Sequence, residues 1–300
     1  MSIEQIKYFY YIAKYKNITK VAKDLHISQP ALSQQLQKFE NSLGYKLLER
    51  SNKGTELTEM GKIVFYYSER IVDIYSKMLD ELNYKTTNYE TIRIDACCSI
   101  DEYLITKVLC DPNINMNIKN NIRYKLFSQP PERIIENLRN GVCDIGFMCE
   151  NFVDRDFHCK EISKIEFILF SSPSYNIPKE IELSDLSKYP FITMNESYEF
   201  RVRLIKNLTM LGYDIKKLNI IVELGSFESI KKAVSSSIGI AFLPDIAMKD
   251  DLSHARFKKI NIRCPKIIQS FNMIYKKMPE NDYINKFAKY LFNRMLMPSE

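Results

Sequence analysis

Gln29, Pro30, Ser33, Gln34 and Gln37 share one side of a helix if residues 29–43 are helical, and that side is almost entirely amide and hydroxyl. A glutamine can pair its carbonyl and amino groups with adenine N6 and N7, a two-bond contact that discriminates between bases by about 1–3 kcal/mol. Leu32, Leu36, Phe39 and Leu43 take the opposite side at helical spacing. Ser28 is placed to cap the helix, Pro30 falls in the first turn where its missing N–H costs nothing, and Gly44 suits the residue just past the end. A polar face of this kind is also what a solvated helix presents, so its surroundings decide its meaning.

Those surroundings predict two further helices and a turn. Ile6, Phe9, Tyr10 and Ala13 mark a first helix over 3–16, and Asn17 then caps a short second one whose stripe is Ile18, Val21, Ala22 and Leu25. His26 and Ile27 make the turn into the glutamine-bearing helix. Two short helices joined this tightly place the second in the major groove of DNA. Beyond Gly44, residues 46–50 and 55–57 suggest a β-hairpin around Ser51-Asn52-Lys53-Gly54, a wing whose Lys53 could approach phosphate, with Arg50 read as structural. Residues 1–58 carry nine Lys/Arg against five Asp/Glu, so most of the chain's net charge of +6 sits there, as a polyanion partner would require.

From Leu57 onward, Leu57, Met60, Val64, Tyr67, Ile71, Ile74 and Met78 recur at alternating intervals of three and four. This heptad seam predicts a helix that ends near Asn83 and pairs with a second copy; packing on the protein's own body is the alternative. A dimer would let two recognition helices read an interrupted inverted repeat in double-stranded DNA. The polar stretch 85–90 reads as a hinge. Beyond it, short β-like runs (92–96, 122–127, 144–148, 167–171, 191–194, 220–223, 240–243) alternate with helices (102–109, 132–139, 200–211, 227–235), which predicts parallel sheets covered by helices.

Composition sets the remaining bounds. At 300 residues, 45% hydrophobic and 27% charged, the chain suits two or three globular units. No apolar run is long enough for a membrane span and the start lacks a secretory pattern, so the expectation is a cytoplasmic protein with no membrane partner. Seven cysteines, the first at Cys97, show no CxxC spacing, and the three histidines show no metal or nucleophile motif, so neither metal nor catalytic residues are predicted. A redox sensor using a cysteine pair and a free-standing solute-binding protein are the rival readings. The second leaves the N-terminal helices unexplained.

The run Asn17-Ile18-Thr19-Lys20-Val21-Ala22, Leu25 to Ser33, Phe39-Glu40, Leu43-Gly44, Leu47-Leu48-Glu49-Arg50 and Leu57-Thr58-Glu59-x-Gly61 resembles the LysR-type transcriptional regulators. Asn140-Gly141-x-Cys143-Asp144-Ile145-Gly146 and Ser237-Ile238-Gly239-Ile240-Ala241-x-Leu243-Pro244 resemble their effector domain more loosely. Gln34 stands where the family commonly has arginine, and Leu48 where it has Phe. The resemblance implies an α/β chain with an N-terminal winged helix-turn-helix (1–58), a linker coiled-coil helix (59–84), and a periplasmic-binding-protein-like effector domain (88–300). The last divides into subdomain I (91–162 and 265–300) and subdomain II (163–264). DNA contacts are expected from Thr19, Lys20, Ser28, Gln29, Pro30, Ser33, Gln34, Gln37 and Lys53. Effector contacts are expected at strand-to-helix junctions, from Ser99, Ile100, Ser128, Gln129, Asn195, Arg201, Ser226 and Phe227, with a small carboxylate favoured by free helix-start N–H groups. No cofactor is implied beyond an effector of unknown identity. The implied partners are a second copy, a further pairing into a tetramer, and RNA polymerase if the protein activates.

Overall fold

The computed structural model describes residues 1–51, 54–87, 90–97, 101–110, 122–150, 152–196, 198–278 and 283–296. The chain divides into two compact units, Met1–Tyr89 and Glu90–Glu300.

In the first unit, α1 (Ile3–Tyr15), α2 (Ile18–Asp24) and α3 (Gln29–Leu43) precede the hairpin of β1 (Leu48–Ser51) and β2 (Gly54–Leu57), and α4 (Glu59–Thr87) follows. Each short helix begins on the cap its sequence offers. The Ser2, Asn17 and Ser28 side chains accept from the backbone N–H of Gln5, Lys20 and Ala31 respectively. Gly44 closes α3 at φ +79°, and the α2–α3 turn places His26 at φ +55°, a left-handed conformation that suits a tight reversal. The apolar sides of these helices meet in one core around Phe9, Ile12, Val21, Leu32, Phe39 and Leu47. β1 and β2 pair antiparallel, with Leu48 opposite Leu57 and Ser51 opposite Gly54.

α4 runs three residues past the expected end at 84, because the polar residues there contain no helix stop. It also uses two faces. Val64 and Phe65 turn inward with Ser68 and Val72, and the Phe65 ring stacks on Tyr10 at 5.6 Å. Leu57 and Val64, expected in the heptad seam, therefore belong to the unit's own core, while Met60, Ile63, Tyr67, Ile71, Ile74 and Met78 remain exposed.

The second unit is built on a mixed eight-stranded sheet, where the sequence pattern predicts parallel sheets. β3 (Glu90–Ala96) pairs parallel with β4 (Ile122–Ser128) and β5 (Ile145–Met148). β6 (Phe157–Ser171), β10 (Ala241–Pro244), β11 (Lys258–Arg263) and β12 (Ile268–Lys276) join it antiparallel, and β7 (Glu180–Glu182) ends the order on β11. A separate parallel pair is formed by β8 (Phe191–Met194) and β9 (Ile220–Leu224). The helices are α5 (Thr106–Leu109), which continues a π-turn at Asp101–Ile105, then α6 (Pro131–Arg139), α7 (Glu199–Met210), α8 (Phe227–Ser235), α9 (Asp245–Ser253) and α10 (Tyr283–Leu296).

Two apolar cores result. One gathers β3, β5, α6, α10 and the first part of β6; the other gathers β8, β10, α7, α8 and the last part of β6. The chain leaves the first core along β6 and returns along β12, whose register follows β6 from Glu166 back to Phe157. Among the described residues no helix is long and apolar enough to cross a membrane.

Candidate functional site

The glutamine-bearing helix is held rigidly from behind. Leu32 is fully buried, and the Phe39 ring lies 5.7 Å from that of Phe9. Glu40, which the sequence reading treated only as part of a motif, is 5% exposed and clamps the hairpin to α3: its Oε1 accepts from the backbone N–H of Leu47 at 2.8 Å and of Leu48 at 3.2 Å, and its Oε2 meets Lys46. A charged residue that satisfies two buried donors outweighs a neutral hydrogen bond. Three more contacts tie the hairpin down. The Lys16 carbonyl accepts from Thr55 N–H at 3.3 Å, the Thr58 hydroxyl donates to Lys46 O at 2.7 Å, and Gly61 N–H donates to Thr58 Oγ1 at 2.9 Å. Gly61 has no room for a side chain, since a Cβ there would sit 2.0 Å from the Leu47 carbonyl oxygen.

Against this backing the expected DNA-contact residues fall into two groups. Pro30, Gln34 and Gln37 are exposed on α3, and Gln29 and Ser33 are half-buried with the Gln29 amide donating to Ser33 Oγ at 3.0 Å. Thr19 and Lys20 are exposed on α2, where the Lys20 ammonium lies 5.6 Å from the Tyr15 ring centroid. Ser28 is exposed but spends its hydroxyl oxygen on the helix cap. Lys53 and the Arg50 side chain lie outside the described residues.

In the second unit, the expected effector residues separate by what they already touch. Ser128 is exposed at the end of β4, and Gln129 N–H donates to Ala96 O at 3.0 Å, so both stand at the carboxyl ends of neighbouring parallel strands. Asn195 is exposed after β8, with its N–H on Leu224 O at 3.0 Å. Ser226 caps α8, accepting from Ser229 N–H at 3.2 Å. Ser99 and Ile100 lie outside the described residues.

Two of the expected effector residues are buried. Phe227 is fully buried, part of the second core, with its ring 5.0 Å from that of Phe200. Arg201, read as a residue more often found at the surface, is 5% exposed. It donates to Met194 O at 2.9 Å and ion-pairs with Glu223 and Glu196, while its buried Nε has no hydrogen-bond partner among the described residues.

The sequence reading missed the contacts that span the two cores. Tyr103, on the π-turn beside the first core, donates its hydroxyl to Glu228 Oε1 at 2.7 Å, and its ring stacks on Phe227 at 6.1 Å beneath the Lys231 ammonium. Lys231 also bridges Glu228 at 3.0 Å and Asp251 at 2.8 Å. The Tyr103 hydrogen bond, with help from Lys231 and against partial burial, holds the Glu228 carboxyl below the usual carboxylate range. On a second line, Arg203 of α7 pairs with Glu150 beyond β5 as well as with Glu199. No periodicity marks such pairs, because their members lie 125 and 53 residues apart. A cavity of about 220 Å³ opens where β11 leaves β6, lined by residues including Glu166, Lys259, Cys264 and Lys266, and none of the expected effector residues lines it.

Comparison with known proteins matches both units. Residues 3–62 match the bacterial regulatory helix-turn-helix protein, lysR family, and residues 117–295 match the LysR substrate binding domain. A probable RuBisCO transcriptional regulator of Trieres chinensis is 29% identical over 286 residues, covering 91% of this chain and 90% of its own. Among solved structures, CbnR, a LysR family transcriptional regulator, superposes with a TM-score of 0.70 at 18% identity over 99% of this chain and 100% of its own. CbnR in complex with its target DNA superposes with 0.68 at 18% identity over 98% and 100%. The capped helix pair with its hairpin and the two-core effector unit thus occur together and in the family's order, and the chain belongs to the LysR-type transcriptional regulators.

Proposed function

We propose that this regulator reads double-stranded DNA as a homodimer through the face formed by Thr19, Lys20, Ser28, Gln29, Pro30, Ser33, Gln34 and Gln37, with Lys53 on phosphate. The observation that carries the reading is the contrast across α3: one side is fixed by Leu32, Phe39 and Glu40, and the other leaves Gln34 and Gln37 exposed. A rigid backing is what sequence readout needs, since base contacts fail when the helix can shift. The exposed row of α4, from Met60 and Ile63 through Tyr67 and Ile71 to Ile74 and Met78, supports pairing with a second copy, because so long an apolar stripe is costly in water. The crystal structure of CbnR with its target DNA supports the same mode of action. Tetramer formation, contact with RNA polymerase if the protein activates, a cytoplasmic location and the lack of an enzymatic activity complete the reading.

The effector-binding domain (88–300) takes a small effector between the two cores of the second unit, near Ser128, Gln129, Asn195 and Ser226. A small carboxylate is the favoured class. Because Tyr103–Glu228 and Glu150–Arg203 already join the two cores, an effector acts by redistributing these contacts, which shifts the population of effector-unit conformations and so the way paired copies hold DNA.

Footprinting of the full-length protein on its own upstream DNA tests this. Two protected half-sites on one face of the helix are expected, and Ile71→Glu with Ile74→Glu should give monomers that protect neither at the same concentration. Full protection by a monomeric variant would overturn the dimeric reading.

A further inference from the structure

Among the amides on the outer face of α3, Gln29 differs from its neighbours. Gln34 and Gln37 are exposed and carry no side-chain hydrogen bond among the described residues, whereas Gln29 is half-buried and its Nε2 donates to Ser33 Oγ one turn later, at 3.0 Å. The two residues stand at i and i+4, the spacing at which helix side chains meet. A free glutamine amide has three useful edges: one carbonyl oxygen and two N–H bonds. Here one N–H is occupied, leaving the oxygen and one N–H for a partner.

That remaining pair matches one base edge and mismatches another. Adenine offers the N6 amino group as donor and N7 as acceptor, which the remaining oxygen and N–H can satisfy together. Guanine offers two acceptors, O6 and N7, and a glutamine can answer both only with both of its N–H bonds. With one N–H held by Ser33, guanine would leave an acceptor facing the Gln29 carbonyl oxygen. We infer that Ser33 is a positioning residue that sets Gln29 to read adenine and to reject guanine. This rests on the proposed base-reading role of Gln29. Orientation before binding also spares the glutamine part of the rotamer entropy that a free side chain loses on contact.

The test is selection from a pool of random-sequence DNA duplexes by the full-length protein and by Gln29→Ala, Ser33→Ala and Ser33→Thr, with far-ultraviolet circular dichroism confirming each fold. Binding of the selected duplex and of its adenine-to-guanine counterpart is then measured. Wild type should enrich an adenine in each half-site that Gln29→Ala loses, and should prefer it to guanine by about tenfold or more, within the span expected of one bidentate contact. In Ser33→Ala, whatever affinity is lost with the hydroxyl itself, the preference for the adenine duplex over its guanine counterpart should fall below about threefold. Ser33→Thr, which keeps the hydroxyl, should retain the preference. If Ser33→Ala keeps the full adenine preference, or loses affinity for both duplexes equally, Ser33 does not position Gln29 and the inference falls while base reading stands. If the enriched sequence is unchanged in Gln29→Ala, or none is enriched by wild type, the base-reading role falls and takes the inference with it.

Discussion

The two units treat their polar groups in opposite ways. On α3 and α2 the candidate DNA-contact residues are mostly exposed, and Gln34 and Gln37 carry no side-chain hydrogen bond among the described residues that a partner would have to displace. In the second unit the polar residues are engaged with one another, within the second core's elements (Arg201 with Glu223, Lys231 with Glu228 and Asp251) and between the two cores (Tyr103 with Glu228, Arg203 with Glu150). A preformed reading face suits a partner whose geometry is constant. A site whose own groups are mutually satisfied responds to a ligand only by exchanging partners, which is how binding becomes a conformational signal.

The largest expected effect tests whether Phe227 belongs to packing and not to a ligand surface. Phe227→Ala should destabilise the second unit by about 3–5 kcal/mol, the usual cost of emptying a buried phenylalanine site, as read by denaturant unfolding. A loss under about 1 kcal/mol would return the residue to the ligand surface. Next is the backing of the reading face. Glu40→Ala leaves the Leu47 and Leu48 N–H groups without their carboxylate and should cost about 2–3 kcal/mol in the first unit, with DNA affinity falling as the hairpin loosens. Gln34→Ala should change stability by less than about 0.5 kcal/mol yet alter which DNA is preferred, and equal effects of Gln34→Ala and Glu40→Ala on stability would erase the contrast between face and backing.

The smallest effect concerns the contact between cores. The carboxyl of Glu228 is held below its ordinary value, so its contribution to stability is present above the usual carboxylate range and is lost as pH falls through the lowered value. Tyr103→Phe removes the principal cause. The difference in thermal stability between Tyr103→Phe and wild type should therefore be present at pH 7 and shrink on acidification below about pH 4. A difference that is independent of pH would show that the hydroxyl does not act through Glu228.

Sequence reading reached the first unit almost residue by residue because its determinants are local. Asn17 and Ser28 cap the helices they precede, Gly44 ends α3, and the stripe of Leu32 and Phe39 names its own buried side. It reached the second unit only in part. β3, β5, β8 and α8 declared themselves, but β6 begins ten residues before its apolar end because Phe157 to Glu166 mixes polar residues into a strand set by pairing with β12, about a hundred residues later. β11, β12, α9 and α10 were invisible for the same reason: partners far along the chain decide them. Arg201 looked like a surface residue because nothing in its neighbourhood announces Glu223, which β9 brings across from 22 residues away. Glu40 stood in plain view within a motif, and only the fold shows that its carboxylate holds the hairpin.

The most direct measurement is a fluorescence-anisotropy titration of the full-length protein against labelled duplex from its own upstream region and against unrelated duplex, over a range of salt. Gln29→Ala is expected to lose affinity for the first and little for the second. Lys20→Ala is expected to weaken both and to reduce the slope of binding against salt by about one. Equal losses on both duplexes for both variants would contradict the assignment of α3 as the sequence-reading face.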